Sequence, residues 1–420
     1  MFEKQSWIGC ESSPTVRTGG LTLLFALAYV SHGVSAQFGI IAQPLQYFMM
    51  NGLHLTADQV SSYLAIMMLP WVLKPFYGLA CDFVPLLGYR RKSYMFVANL
   101  ATAAAFLLML GVDDLHLILI MLLISAVGMA ASTAVTVGLA VEGGRNAATS
   151  RRYFAEQTFF YYSALMLASV VGGFLCHHYQ PSIALHTAAA IAIVPPLVVA
   201  GSSLLLIKEK KSKFHLAELR MTGAALRQLL RSPAVWLVAL FIFCWDFSPS
   251  FGVALYFHES KTLQFSQSLI GQLAAWNAAG MVIGAIFYRV YFARLGIRRQ
   301  LMLAVLSGAV STLAYLMLSS DSAIALELVR GFTNMLAILS IYALAADVCP
   351  PRMEVSLMAT LIAVRNLATD GSTFLGGHLY AKVFNNHIAP LIVVSAATTA
   401  LCALLVMLLP RGDTAGKPED

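Results

Sequence analysis

Pro70-Trp71-Val72-Leu73-Lys74-Pro75-Phe76-Tyr77-Gly78-Leu79-Ala80-Cys81-Asp82 runs into Phe83-Val84-Pro85-Leu86-Leu87-Gly88-Tyr89-Arg90-Arg91-Lys92-Ser93-Tyr94. The reading of this chain turns on that stretch. It closes an apolar run, makes a tight turn over Pro85 and Gly88, places three basic residues in a row, and leads into another apolar run. A run that stops at a basic loop and restarts describes two membrane crossings joined on their basic side. Working outward, apolar runs occupy 21–49, 58–81, 93–112, 114–141, 152–176, 183–207, 233–257, 267–293, 300–319, 322–346, 354–382 and 387–409. A crossing helix needs roughly 20 apolar residues, so each run is long enough. The longer ones must tilt or kink. They do not alternate polar and apolar residues, which argues for helices over a barrel.

Composition agrees with this reading. Of 420 residues 59% are hydrophobic and 11% charged, against roughly 25% charged in a soluble domain. So few charges cannot cover a water-soluble surface, which excludes a soluble enzyme, a disordered chain and a secreted disulfide scaffold. The net charge of +7 sits mostly in 208–231. That is no broad nucleic-acid footprint; the leucine and arginine spacing there predicts an amphipathic helix on anionic inner-leaflet lipid. The six cysteines form no CxxC pair and read as reduced and buried. No metal set, P-loop, HExxH or GxSxG is found, so neither a cofactor nor an enzyme is expected.

Lys and Arg fix the orientation. Twenty-two of the 27 fall in one alternate set of loops and termini, and only Lys261 and Lys382 in the other. Both termini are therefore expected in the cytoplasm, in a cell inner membrane or an organelle membrane. The chain also repeats itself. Leu87-Gly88-Tyr89-Arg90-Arg91 recurs as Leu295-Gly296-Ile297-Arg298-Arg299, Leu139-Ala140-Val141-Glu142 as Leu344-Ala345-Ala346-Asp347, and Pro44 pairs with Pro249, all at offsets of 205–208. The expected organisation is a cytoplasmic segment 1–20, a six-helix bundle 21–207, a basic linker 208–231, a second six-helix bundle 232–409 and a tail 410–420. This all-α plan of twelve helices in two halves resembles the major facilitator superfamily, whose solute site lies at mid-depth between the halves.

A narrower resemblance rests on Pro70-Trp71, Lys74-Pro75, Gly78, Asp82, Pro85, Gly88-Tyr89-Arg90-Arg91 and Tyr94. It continues at Phe243, Pro249-Ser250 and Tyr256-Phe257, at Gly271, Gly284 and Tyr288, and at Cys349-Pro350, Glu354, Asn366-Leu367 and Gly376. These residues are similar to the signature of the folate–biopterin transporter family. The resemblance implies proton-coupled uptake or export of a folate or pterin; separately, the chain is expected to be a monomer. The chain departs from that pattern at Thr133 and Val137, where acids are expected, and at Cys81, where Ser is. Alternatives are another solute, such as iron at a magnetosome-type organelle membrane, or a non-transporting sensor or assembly factor on the same fold.

Charges at membrane depth are costly and therefore mark function. Asp246 and Arg365 fall near the middle of their runs, and Lys74 nearly two turns inside its own. Together with Asp370, His32, Gln37, Trp245 and Phe247 they are the expected solute and proton pathway: Arg365 and Lys74 attract an anion, Asp246 bonds a polar ring or carries a proton, and the aromatics stack. Gly78, Asp82, Arg90, Arg91, Glu142, Arg145, Asp347 and Glu354 are the expected cytoplasmic gate, with Asp82 accepting from Arg145 or a helix N-terminus. Glu327 and Arg330 share a helix face and are expected to pair.

Overall fold

The fold was analysed in a computed structural model, which describes residues 18–143, 147–211, 232–347 and 354–408. The first half contains α1 (Thr18–Ser35) and α2 (Ala42–Tyr47), which make one broken rod, and α3 (Ala57–Val72) and α4 (Lys74–Phe83), which make a second, bent at Leu73. Four further rods complete it: α5 (Lys92–Met109), α6 (Leu115–Gly143), α7 (Ala147–His178) and α8 (Pro181–Leu206). The second half opens on another broken rod, α9 (Pro233–Asp246) with α10 (Gly252–Phe257). It continues with α11 (Gln267–Val290), α12 (Ile297–Leu313), α13 (Ala323–Asp347), α14 (Glu354–His378) and α15 (Ile388–Leu408). Counting each broken pair once gives twelve rods among the described residues. Nine described helices are long and apolar enough to cross a membrane; Gly20–Ser35 and Val235–Asp246 are apolar but shorter because their rods break. Helices are the natural solution in lipid, where each main-chain group must be satisfied within its own segment.

The helix ends follow from their residues. Thr56 and Gln59 cap α3 reciprocally, with the Thr56 N–H donating to Gln59 Oε1 at 3.0 Å, and the Ser266 hydroxyl accepts from Leu269 N–H at the start of α11. Pro181 and Pro233 begin α8 and α9, where a missing N–H costs nothing. The rods broken at α1–α2 and at α9–α10 share one ending. Each closes in a π turn, Phe48–Gly52 or His258–Thr262, followed by a residue in the left-handed region, His54 at φ 55° or Gln264 at φ 54°. The same ending follows α14 at Leu379–Val383 and Asn385. The first two lie 210 residues apart, and the sequence repeats predicted no such match.

Two seams join the halves, α3 against α14 and α7 against α11. The α7–α11 seam is tight: a methyl placed on Gly271 would sit 2.7 Å from the Gly173 Cα, so only glycine permits this approach. The apolar core is divided unequally along the rods. At the end away from the Lys/Arg-rich loops, one cluster runs unbroken through both halves, from Ile41, Met49 and Val60 to Tyr256, Leu273 and Leu391. At the basic end each half keeps its own core, around Phe25, Met95 and Leu139 in the first and Phe241, Val305 and Leu361 in the second. Among the described residues the halves thus share one apolar core at the distal end and keep distinct apolar cores at the basic end.

Candidate functional site

The three chain breaks position the polar centre. Pro75 has no N–H to donate to the carbonyl four residues before it, which leaves the Trp71 oxygen free. Asn366 Nδ2 on α14 donates to it at 2.9 Å, across the seam between the halves. The break after α9 is stitched in the same way. Ser248 bonds Ser395 and Thr398 on α15, Ser372 Oγ donates to the Ser248 carbonyl at 2.5 Å, and Ser250 N–H donates to the Ser372 carbonyl at 3.2 Å. In the α1–α2 break, Gln37 donates to Ser125 Oγ at 2.8 Å and accepts from Trp71 Nε1 at 3.1 Å.

Asp246 is the last residue of α9, an unfavourable place for an anion, since the helix dipole is negative there. Arg365 compensates: its Nε donates to Asp246 Oδ1 at 3.2 Å, with the aspartate side chain 10% and the arginine 25% exposed. The second aspartate oxygen has no partner among the described residues. Tyr162 of α7 and Tyr342 of α13 lie close enough to feel the guanidinium charge. From there a chain of rings returns into the first half. Tyr162 meets Tyr161 at 4.9 Å, Tyr161 meets His32 at 4.7 Å, His32 stacks on Trp71 at 5.2 Å, and Trp71 meets Phe38 at 5.6 Å. Lys74 Nζ lies 5.9 Å from the Trp71 ring centre, a cation–π contact. A cation therefore stands at each end of an aromatic track that crosses between the halves. His32 Nε2, on that track, is another buried polar atom with no partner among the described residues.

Other expected residues fall elsewhere. Asp370 is five positions from Arg365, which is about 140° around a helix. It is 8% exposed and shares the face of Asn366 and Gly377, the one packed on α3. Trp245 packs toward Gly308 and Thr399, inside the second half and off the ring track. Phe247 stacks on Phe243 at 4.9 Å and lies against Gly371. Glu327 and Arg330 do pair, at 3.0 Å. The track members Phe38, Tyr161 and Tyr162, and Tyr342 beside Arg365, were missed in the sequence because lone aromatics in an apolar run carry no signal of direction. The visible clue was the adjacent Tyr161-Tyr162 pair.

At the basic end, Asp82 pairs with Arg91 at 2.5 Å, and Arg90 Nη1 donates to the Asp82 carbonyl at 3.1 Å. The expectation named Arg145 or a helix N-terminus as the partner; Arg91 is the N-cap residue of α5, and Arg145 lies outside the described residues, as do the side chains of Glu142, Asp347 and Glu354 and the segment 212–231. The loop is a two-residue turn with Leu87 at φ 53° and Gly88 at φ 84°, closed by reciprocal bonds between Leu86 and Tyr89. Positive φ at both central positions is what such a turn demands, and it accounts for Gly88. Gly78, expected in the gate, makes no close approach: nothing lies within 4 Å of where its Cβ would stand. A further contact, unseen in the sequence, comes from Glu209. Its carboxylate accepts from the N–H groups of Arg90, Arg91 and Lys92, each at 3.0 Å, at the start of α5, where the helix dipole favours an anion.

Comparison with known proteins places this geometry in context. A model of the BT1 family matches residues 32–420. The chain is 25% identical over 400 residues to a folate-biopterin transporter of Synechocystis, covering 90% of this chain and 80% of the relative. It is 26% identical over 389 residues to folate transporter 2 of Plasmodium falciparum, covering 87% and 84%. In fold it is similar to a D-xylose–proton symporter, with TM-score 0.72, 12% identity and coverage of 94% of this chain and 98% of that one. It is also similar to the nucleoside transporter NupG, with TM-score 0.68, 12% identity and coverage of 93% and 98%.

Proposed function

This chain belongs to the BT1 family and is a multi-pass secondary transporter with the major facilitator fold, not an enzyme; from that premise we propose that its solute is a folate or pterin, carried by alternating access with a proton. The observation that carries this is the aromatic track with a cation at each end. Arg365 suits a carboxylate, which it holds through paired N–H groups. The rings of Trp71, His32, Tyr161 and Tyr162 suit a flat heterocycle. Lys74 and the unpartnered His32 Nε2 supply polar contacts at the first-half end.

The Asp246–Arg365 pair supplies a coupling device. A solute carboxylate that takes Arg365 removes the only described cation beside Asp246, a nearly buried anion. An anion so placed is costly unless it takes up a proton. Solute and proton then enter together. Joined distal ends and separate basic-end cores are what a state open toward the basic end requires. By charge distribution that end is cytoplasmic, and Asp82, Arg90 and Arg91 with Glu209 brace it. Iron is the less favoured cargo: no group of three or more His, Cys, Asp or Glu that could hold a metal ion occurs among the described residues.

The test is uptake of labelled folate, biopterin and ferrous iron into proteoliposomes, with and without an inward proton gradient. Gradient-driven flux of folate or biopterin, lost in Arg365→Ala and reduced in Lys74→Ala, is expected. Flux of iron alone, or folate flux unchanged in Arg365→Ala, overturns the reading.

A further inference from the structure

The distal end of the second half holds a charge cluster that the solute track does not use. Glu327 on α13 is 3% exposed and fully engaged: it accepts from Tyr315 Oη at 2.6 Å, from Asn277 Nδ2 at 2.9 Å and from Arg330 at 3.0 Å. Arg330 also lies over the rings of Phe251 and Tyr315, at 5.8 and 5.4 Å. Beside this pair, on the π turn that ends the broken rod, Glu259 is 4% exposed. Its carboxyl accepts no hydrogen bond from any described residue, and its charged neighbours are Glu327 and Arg330. The titratable groups around it are Glu327 and Arg330 of α13, Tyr256 of α10 and Tyr315 after α12, with His258 and Lys261 on its own turn. The described guanidinium nearest both acids, Arg330, is thus already committed to Glu327.

We propose that Glu259 is a proton-binding site separate from the Asp246–Arg365 pair, and that its proton is taken up as the distal ends of the two halves close. The charge balance favours it, because a nearly buried carboxylate close to a second carboxylate, with no donor of its own among the described residues, gains stability when neutral. Burial and the Glu327 charge together push Glu259, which lies beyond the apolar run ending at Phe257, up to about 8. The mechanical connection is short. The Glu259 carbonyl accepts from Phe265 N–H at 2.8 Å, which ties the turn to the start of α11. There Gln267 bonds both Tyr256 and Ser260 on the Glu259 side, and Gln43 of the first half donates to its carbonyl at 2.7 Å and its Oε1 at 3.1 Å. Opening the distal seam breaks the Gln43–Gln267 contact and lets water reach Glu259; closing it expels that water.

The direction of the pH effect follows. Glu259 binds its proton more tightly in the closed form than when hydrated, so its contribution to closure is full below the ordinary glutamate range and is lost as pH rises through about 8. Between those limits one proton is linked to closure, and the closed-to-open ratio falls about tenfold per pH unit. This inference rests on the alternating-access reading but not on the identity of the solute. The test therefore uses the full chain in lipid nanodiscs with no solute added. Spin labels are placed at the exposed distal positions Asn51→Cys and His387→Cys, with the native cysteines changed to Ser, and their distance is measured between pH 6 and pH 9. The short-distance population is expected to fall with rising pH in this background and in Glu259→Asp, and to stay high at every pH in Glu259→Gln. Asp246→Asn and Asp370→Asn are expected to keep the response. A distance that does not move with pH overturns the proposal, as does a response that survives Glu259→Gln or one that Asp246→Asn or Asp370→Asn abolishes.

Discussion

Arg365→Ala isolates the energetics of the central pair. It removes one charged hydrogen bond, 3.2 Å long, from an aspartate that is 10% exposed. Loss of such a bond alone costs about 1.5–3 kcal/mol, and stranding a buried partner raises the cost to about 3–5 kcal/mol. The position of Asp246 at the negative end of α9 favours the upper part of that range. A ceiling also exists, because a stranded carboxyl can take a proton from solution. For ordinary aspartate acidity near 3.9, this costs about 4 kcal/mol at pH 7 and about 1.5 kcal/mol at pH 5. The destabilisation of Arg365→Ala is therefore expected near 3–4 kcal/mol at pH 7, shrinking as pH falls, because proton uptake relieves it. The double variant Asp246→Asn/Arg365→Ala, with no anion to strand, is expected to recover most of the loss at pH 7 while remaining inactive in solute uptake. Thermal unfolding of the detergent-purified chain at pH 5 and pH 7 measures both effects. A deficit that is the same at the two pH values, or a double variant no more stable than the single one, refutes the reasoning.

Gly271→Leu drives a side chain into the Gly173 backbone and is expected to hold the α7–α11 seam apart, abolishing uptake, whereas Gly78→Ala meets open space and is expected to leave uptake intact; uptake of a transported solute by both variants checks this pair. Glu209→Gln keeps the shape of the cap on Arg90, Arg91 and Lys92 but removes its charge, and is expected to cost about 1–2 kcal/mol, read as a lowered unfolding temperature. Lys382→Ala breaks the 3.4 Å pair with Asp58 across the α3–α14 seam. Because Lys382 is 58% exposed, the loss of stability is expected to stay under about 1 kcal/mol and to vanish in high salt, which unfolding at two salt concentrations measures.

The fold was legible because its determinants are repetitive and local. Apolar runs, a one-sided distribution of Lys and Arg, and Leu87–Arg91 echoed at Leu295–Arg299 each carry the same message. Asp246 and Arg365 each stood out because charge at membrane depth has few explanations, but their pairing was not foreseen. What the sequence withheld depends on direction and distance. Nothing in the order of residues says that Asp370 turns away from Arg365 toward α3, or that Trp245 packs on Gly308. The carbonyl that Pro75 frees at Trp71 is implied by the sequence, but its claimant, Asn366, lies 295 positions away. The breaks at 36–41 and 247–251 divide runs that read as continuous spans, because the polar residues that stitch them, such as Gln37 and Ser248, are too few to interrupt an apolar pattern.

The unbroken apolar cluster at the distal end has a thermal consequence. Separating the halves there wets Met49, Tyr256, Leu273 and their neighbours, and wetting apolar surface raises heat capacity. The equilibrium between the two access states should therefore bend with temperature, with cooling weakening the distal seal. Sulfate, which strengthens apolar burial, should push the same equilibrium back toward the sealed form.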